Sequence, residues 1–283
     1  MTGTDPIAEA DADALFVLTA ALLTPGRFPS VLGDDYPAAC AALGLQPYAE
    51  GYGLVFGQDG NGARWTVVVD DVSLVAVAIS SWDCGMAYDL SPDERSVVAG
   101  LPGWPLPVAT AAPGVPAPHD PEPEEGDPEP LAPPSGAEWG PAQRRLGADE
   151  VALHWDTWRA QVGDTTDGSG PAAPAGSGQA APAATAAPAP PPEDVAPPAP
   201  STGARKVLEE LRGYLEDPPP VGRVRENAGM LRADGPGWSL VARTDDMAFV
   251  LLDDLPREVL PVTRGPRLPA LLEALDAMAV RAS

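Results

Sequence analysis

The sequence predicts an α+β fold of two small units, each a three-stranded antiparallel meander flanked by helices in the order α-β-β-β-α. A disordered Pro/Ala-rich linker joins them. Two stretches carry the prediction, because they read alike. The first is Gly53-Leu54-Val55, Asp59-Gly60-Asn61-Gly62, Trp65-Thr66-Val67-Val68-Val69 and Asp70-Asp71. The second is Gly229-Met230-Leu231, Asp234-Gly235-Pro236-Gly237, Trp238-Ser239-Leu240-Val241 and Asp245-Asp246. Their order suggests a duplicated unit. A third observation separates them: the chain holds 37 Pro and 29 Gly, concentrated in its middle.

The first unit is expected over 1–110. Leu15, Leu18 and Leu22 fall at i, i+3 and i+7, which reads as a helix over 11–24, stopped by Pro25-Gly26. A shorter helix is expected at 36–43, with Asp34 and Asp35 at its start, Pro37 in its first turn and Gly44 after its end. Strands follow at 52–56, 64–69 and 72–80. Asp59-Gly60 and Asn61-Gly62 turn the first into the second, since both dipeptides tolerate positive φ. Both faces of these strands are apolar, so the sheet needs cover on both sides. Ser91-Pro92-Asp93-Glu94 has the form of a capping box and predicts a short helix to Ala99.

Residues 111–138 are rich in Pro, Glu and Asp and are expected to be disordered, as are 164–202, rich in Pro, Ala and Gly. Between them, 139–163 carries a helical stripe of Val151, Trp155, Trp158 and Val162. Such a helix either docks on the first unit to complete its core or recognises another protein. The second unit, 203–283, is expected to hold a helix at 204–216, strands near 228–233, 237–243 and 247–252, and a final helix from Pro269 to about Val280.

The formal net charge is −24. Residues 1–110 hold 14 acidic and 3 basic side chains (net −11), and 111–202 again 14 and 3 (net −11). Residues 203–283 hold 13 and 11 (net −2). The first unit therefore repels phosphate backbones, which argues against direct nucleic-acid binding, and attracts basic partners. The Arg residues of the second unit are solvated or attract the acidic first unit or linker in cis. The longest apolar run, Ala14 to Leu23, is about half a bilayer span, so no membrane partner is expected. The acidic start lacks the positive stretch of a secretory signal, and a cytoplasmic location is expected. Cys40 and Cys84 are too few for a disulfide framework.

Candidate chemistry is sparse. The two histidines, His119 and His154, fall outside both expected units, so neither a nucleophilic triad nor a Cys/His zinc site is expected. The paired carboxylates Asp34-Asp35, Asp70-Asp71, Asp245-Asp246 and Asp253-Asp254 could hold a hard cation or serve as acid and base. Each sits where the pattern puts a turn or a helix start, and lacks calcium-loop spacing. No catalytic, cofactor-binding or metal-binding residue is assigned.

The sequence thus reads as a non-enzymatic, cytoplasmic protein-interaction module with a basic protein partner, immunity-type or chaperone-like. A homodimer is compatible with it. The candidate partner-binding residues are Val151, Trp155, Trp158 and Val162 on the central helix, and Trp65 and Trp238 on the meanders. A carboxylate- or metal-dependent enzyme and a scaffold working through its middle are the competing readings.

Overall fold

A computed structural model describes residues 14–72, 92–103, 116–120, 122–131, 137, 139–164 and 200–281. Helices mix with two antiparallel-built sheets, so the α+β class holds. The two matching three-stranded meanders do not reappear as such. Among the described residues one sheet has four strands and the other six.

The first sheet runs β1 (Leu15–Leu23), β2 (Tyr52–Asp59), β3 (Arg64–Val69), β4 (Val97–Pro102), all neighbours antiparallel. Two expected helices are therefore strands. Leu15–Leu23 pairs along its whole length with β2, with an irregularity between Val17 and Thr19. At Asp93 the expected capping box forms a turn: its Oδ1 accepts from Arg95 N, and its carbonyl from Ser96 N (2.8 Å). The chain then leaves as β4. Residues 73–80 of the expected third strand lie outside the described residues.

Helix α1 (Tyr36–Ala42) starts as expected, with Asp35 Oδ1 accepting from Ala38 N at 2.7 Å. With a 3-10 turn at Ser30–Leu32 it covers one sheet face, burying Leu18, Phe28, Tyr36, Cys40, Leu54, Phe56 and Val68 together. Cys40 is a buried free thiol, pushed up in pKa by burial. Cys84 lies outside the described residues.

Part of the expected acidic linker lies along this sheet. His119 bridges Ala63, and Leu131 bridges Gly103 while packing on the core. Arg64 pairs with Asp120.

The second sheet has the order β10-β5-β6-β7-β8-β9. Its strands are β5 (Val224–Asn227), β6 (Met230–Gly235), β7 (Trp238–Ala242), β8 (Ala248–Leu252), β9 (Val259–Val262) and β10 (Val280–Arg281). Only β10 runs parallel to its neighbour, β5. The three expected strands correspond to β6, β7 and β8; β5, β9 and β10 are additions. Alternation along the strands makes two different faces. Leu231, Ala233, Trp238, Leu240, Ala248 and Val250 form a core with α4 (Thr202–Glu216) and α5 (Leu268–Met278). The opposite face carries Val241, Phe249 and Leu251, and also Arg225, Arg232, Asp234 and Ser239.

The central segment forms two helices, α2 (Pro141–Leu153) and α3 (Trp155–Asp164), broken at His154. They do not complete the first unit's core. Ala148, Val151 and Trp155 instead pack on Val241, Met247, Phe249 and Leu251. The second unit is a three-layer arrangement: α4 and α5, the six-stranded sheet, then α2 and α3.

One detail of the duplicated words is kept. In each hairpin the tryptophan ring lies over a glycine directly opposite: Gly57 faces Trp65, and Gly235 faces Trp238. A Cβ at Gly57 would stand 2.0 Å from the Trp65 ring, and one at Gly235 would stand 2.3 Å from the Trp238 ring.

Candidate functional site

The six residues singled out from the sequence do not come together. Val151 and Trp155 are buried between α2–α3 and the second sheet, with Trp155 2% exposed. The Trp155 and Phe249 rings meet edge to face at 5.2 Å between centroids. Trp158 and Val162 are half-buried against the same cluster. Arg159 on the solvent side donates from Nε to Asp246 Oδ2 at 2.5 Å, which ties α3 to the β7–β8 turn. Trp238 is buried on the other sheet face and donates its indole N–H to Glu210 Oε2 at 2.5 Å. Trp65 is half-buried on the first sheet. The stripe of the central helices is thus engaged by this chain's own sheet.

The carboxylate pairs have turn and cap roles, with an addition. Asp35 caps α1, Asp246 N donates to Arg243 O in the β7–β8 turn, and, outside the pairs, Asp59 Oδ1 accepts from Asn61 N and Ala63 N within its hairpin loop. Asp34, Asp35 and Asp253 also face arginines. Arg144 of α2 pairs with Asp34 and sits 2.5 Å from Asp253 Oδ2. Arg223 Nε lies 3.1 Å from Asp35 Oδ2. On the polar half of the second sheet, Asp234 is fully buried. Its carboxylate lies 2.7 Å from Arg225 and 3.2 Å from Arg232, and it accepts from Ser239 Oγ at 2.6 Å. Burial alone would raise the Asp234 pKa, but Arg225 and Arg232 outweigh it and hold the group below its ordinary value. For Asp35 burial wins over the Ala38 N–H and Arg223, and its pKa is raised.

These ion pairs form the joint between the first unit, α2 and the second sheet. Packing follows them closely: a Cβ at Gly222 would come 2.6 Å from Tyr36 of the first unit. The cis attraction between acidic first unit and Arg-rich second unit is visible in Arg223–Asp35. The acidic linker's described contact is instead with Arg64 of the first unit.

Beside the joint opens a cleft of about 620 Å³, lined by the loop at Gly26–Phe28, one side of α2, the β5–β6 hairpin and Arg243. Its volume falls within the range of small-molecule sites. Five guanidiniums line it: Arg27, Arg145, Arg225, Arg232 and Arg243. Arg145 stacks on the Phe28 ring at 3.6 Å and Arg243 lies 5.7 Å from the Trp155 ring. Burial, followed by the neighbouring Arg225, pulls the Arg145 pKa down to about 9.

The sequence reading missed the joint and the cleft. A signal was present: Arg225 on one strand, and Arg232 with Asp234 on the next, are spaced to share one face in a period-2 pattern. Arg144-Arg145 lie on the helix that covers that face.

Among the described residues no group of three or more His, Cys, Asp or Glu is arranged to hold a metal ion, and no helix is long and apolar enough to cross a membrane. No protein-family model matches the chain, and neither the curated proteins nor the solved structures give a significant match.

Proposed function

We propose that the protein is a non-enzymatic interaction module whose partner is a protein with a basic surface. The observation that supports this is an acidic strap, residues 122–129, flanked on both sides by residues anchored to the first unit. Bridges at His119–Ala63 and Leu131–Gly103 fix the chain on either side of it. Within it, Glu124 N donates to Asp127 Oδ2 at 3.0 Å, which shapes a turn. Glu122, Glu124, Glu125, Asp127 and Glu129 are all exposed. Many arginines of the second unit point into the joint or pair locally, leaving these five carboxylates as a presented anionic surface. Charges held in place lose less freedom on binding than charges on a loose tail. They speed encounter with a cationic partner and select against acidic ones.

Immunity-type neutralisation of a cationic protein and chaperoning of one both suit such a surface. The test uses the full chain as bait in an extract of its own source, in parallel with a variant in which the five carboxylates become amides. A basic protein retained by the parent and reduced at least about tenfold by the variant supports the reading. Retained proteins indifferent to the change overturn it.

A further inference from the structure

We propose that the Arg-lined cleft between the first unit, α2 and the β5–β6 hairpin binds a small phosphorylated molecule. This site is separate from the acidic strap and does not depend on the protein-partner reading.

Charge balance is the first argument. Five guanidiniums line the cleft against two carboxylates, Asp149 and Glu226. Asp149 is shared between Arg145, at 3.7 Å, and Arg232. Glu226 is bound to Arg281 at 3.0 Å and accepts from Gly229 N at 2.6 Å. The wall therefore has three more positive than negative side chains. Including Asp234 behind Arg225 and Arg232, and Arg281 behind Glu226, leaves that difference at three. In a chain of net charge −24, such a local excess has to be built.

Unmet hydrogen bonding is the second argument. Arg145, Arg225 and Arg232 are 8%, 7% and 5% exposed. Nε and Nη1 of Arg145, Nη2 of Arg225 and Nη2 of Arg232 nevertheless lack a hydrogen-bond acceptor. Those four nitrogens are themselves shut from solvent, so a ligand would meet the guanidiniums through their remaining exposed edges, where charge-assisted hydrogen bonds to an oxyanion are strong. Among the described residues Arg27 and Arg243 make no ion pair; Arg27 is exposed and Arg243 is half-buried beside the Trp155 ring, so both offer charge at the rim.

The excess selects the ligand class. A single carboxylate would neutralise one of three charges, whereas a phosphoryl or diphosphoryl group carries two or more and offers several acceptor oxygens. Leu153 and Met230 add an apolar wall, so the cleft has room for an uncharged portion beside the phosphate.

The test titrates the full chain with pyrophosphate by calorimetry at a fixed, near-physiological salt concentration, with citrate as a carboxylate control. Arg27→Gln and Arg243→Gln leave the joint's ion pairs intact, and their circular dichroism and melting midpoints verify folding. Saturable pyrophosphate binding below about 1 mM, weakened about tenfold by each substitution, is the expected result. Absence of saturable binding to the folded parent overturns the proposal. So do unchanged affinity in both folded variants and citrate binding as tight as pyrophosphate.

Discussion

Gly57 and Gly235 do the same local job under different constraints. Each gives up its side chain so that a tryptophan ring from the neighbouring strand can lie across the backbone. At Gly235 the three nearest obstacles to a Cβ are all atoms of the Trp238 ring. At Gly57 the carbonyl of Phe16, on β1, also stands 2.3 Å away. Substitution to Ala is therefore expected to destabilise at both sites by about 1–3 kcal/mol through overcrowding. The two differ in rescue. Adding Trp238→Ala should remove most of the penalty of Gly235→Ala. Adding Trp65→Ala should leave that of Gly57→Ala largely in place, because a backbone atom cannot swing aside. Double-mutant cycles in urea measure both couplings, and equal rescue at the two sites would refute the account.

At the scale of elements, α2 and α3 are held by apolar contact with a sheet that is polar over its other half. Trp155→Ala should cost about 3–5 kcal/mol, the range for a large buried aromatic. Hydrogen exchange should show the loss concentrated in α3, β7 and β8, with the first sheet unaffected. Uniform deprotection would mean the helices belong to a wider core. Helices α4 and α5 and strands β6 to β8 of the second unit are legible in the sequence because the signals agree: each helix has one apolar stripe, and β6 and β7 are joined through Asp234-Gly235 and Pro236-Gly237. The first unit was less so. Leu15, Leu18 and Leu22 keep helical spacing, yet the run LFVLTAALL is apolar nearly throughout. A strand covered on both faces reads that way, and periodicity alone cannot separate it from a helix. At Asp93 the same side-chain acceptance that caps a helix closes a turn instead. The target of the Trp stripe depended on contacts far apart in the chain, such as Trp155 with Phe249, which local pattern does not carry. The arginine cleft was harder still, because Arg27, Arg145, Arg225 and Arg243 come from four separate segments.

For the whole molecule, the buried ion pairs decide how the two units respond to pH. Asp234 is depressed in pKa, so its contribution is present above the ordinary carboxylate value of about 3.9 and is lost as pH falls through its lower folded value. Asp35 is raised, so its contribution has the opposite sign: complete below the ordinary value and lost as pH rises through the folded one. Asp234→Asn should therefore lower stability near neutrality by about 3–5 kcal/mol, the cost of leaving buried charges unpaired. The deficit should narrow as pH falls below the ordinary carboxylate value, because the unfolded parent takes up a proton that folded Asp234 resists. Urea midpoints near pH 7 and pH 3 check this; a deficit that stays constant would show that Asp234 acts by shape and not by charge.

The segment 139–164 packs on the six-stranded sheet, while the chain that connects it to α4 runs through 165–199. A single cut inside 165–199 would leave two polypeptides, one ending with α3 and the other beginning near α4. They should still elute together from a sizing column, because Val151 and Trp155 remain seated on Val241 and Phe249. Conversely, residues 200–283 expressed alone would uncover Val241, Met247, Phe249 and Leu251, and should aggregate unless 139–164 is supplied as a separate peptide.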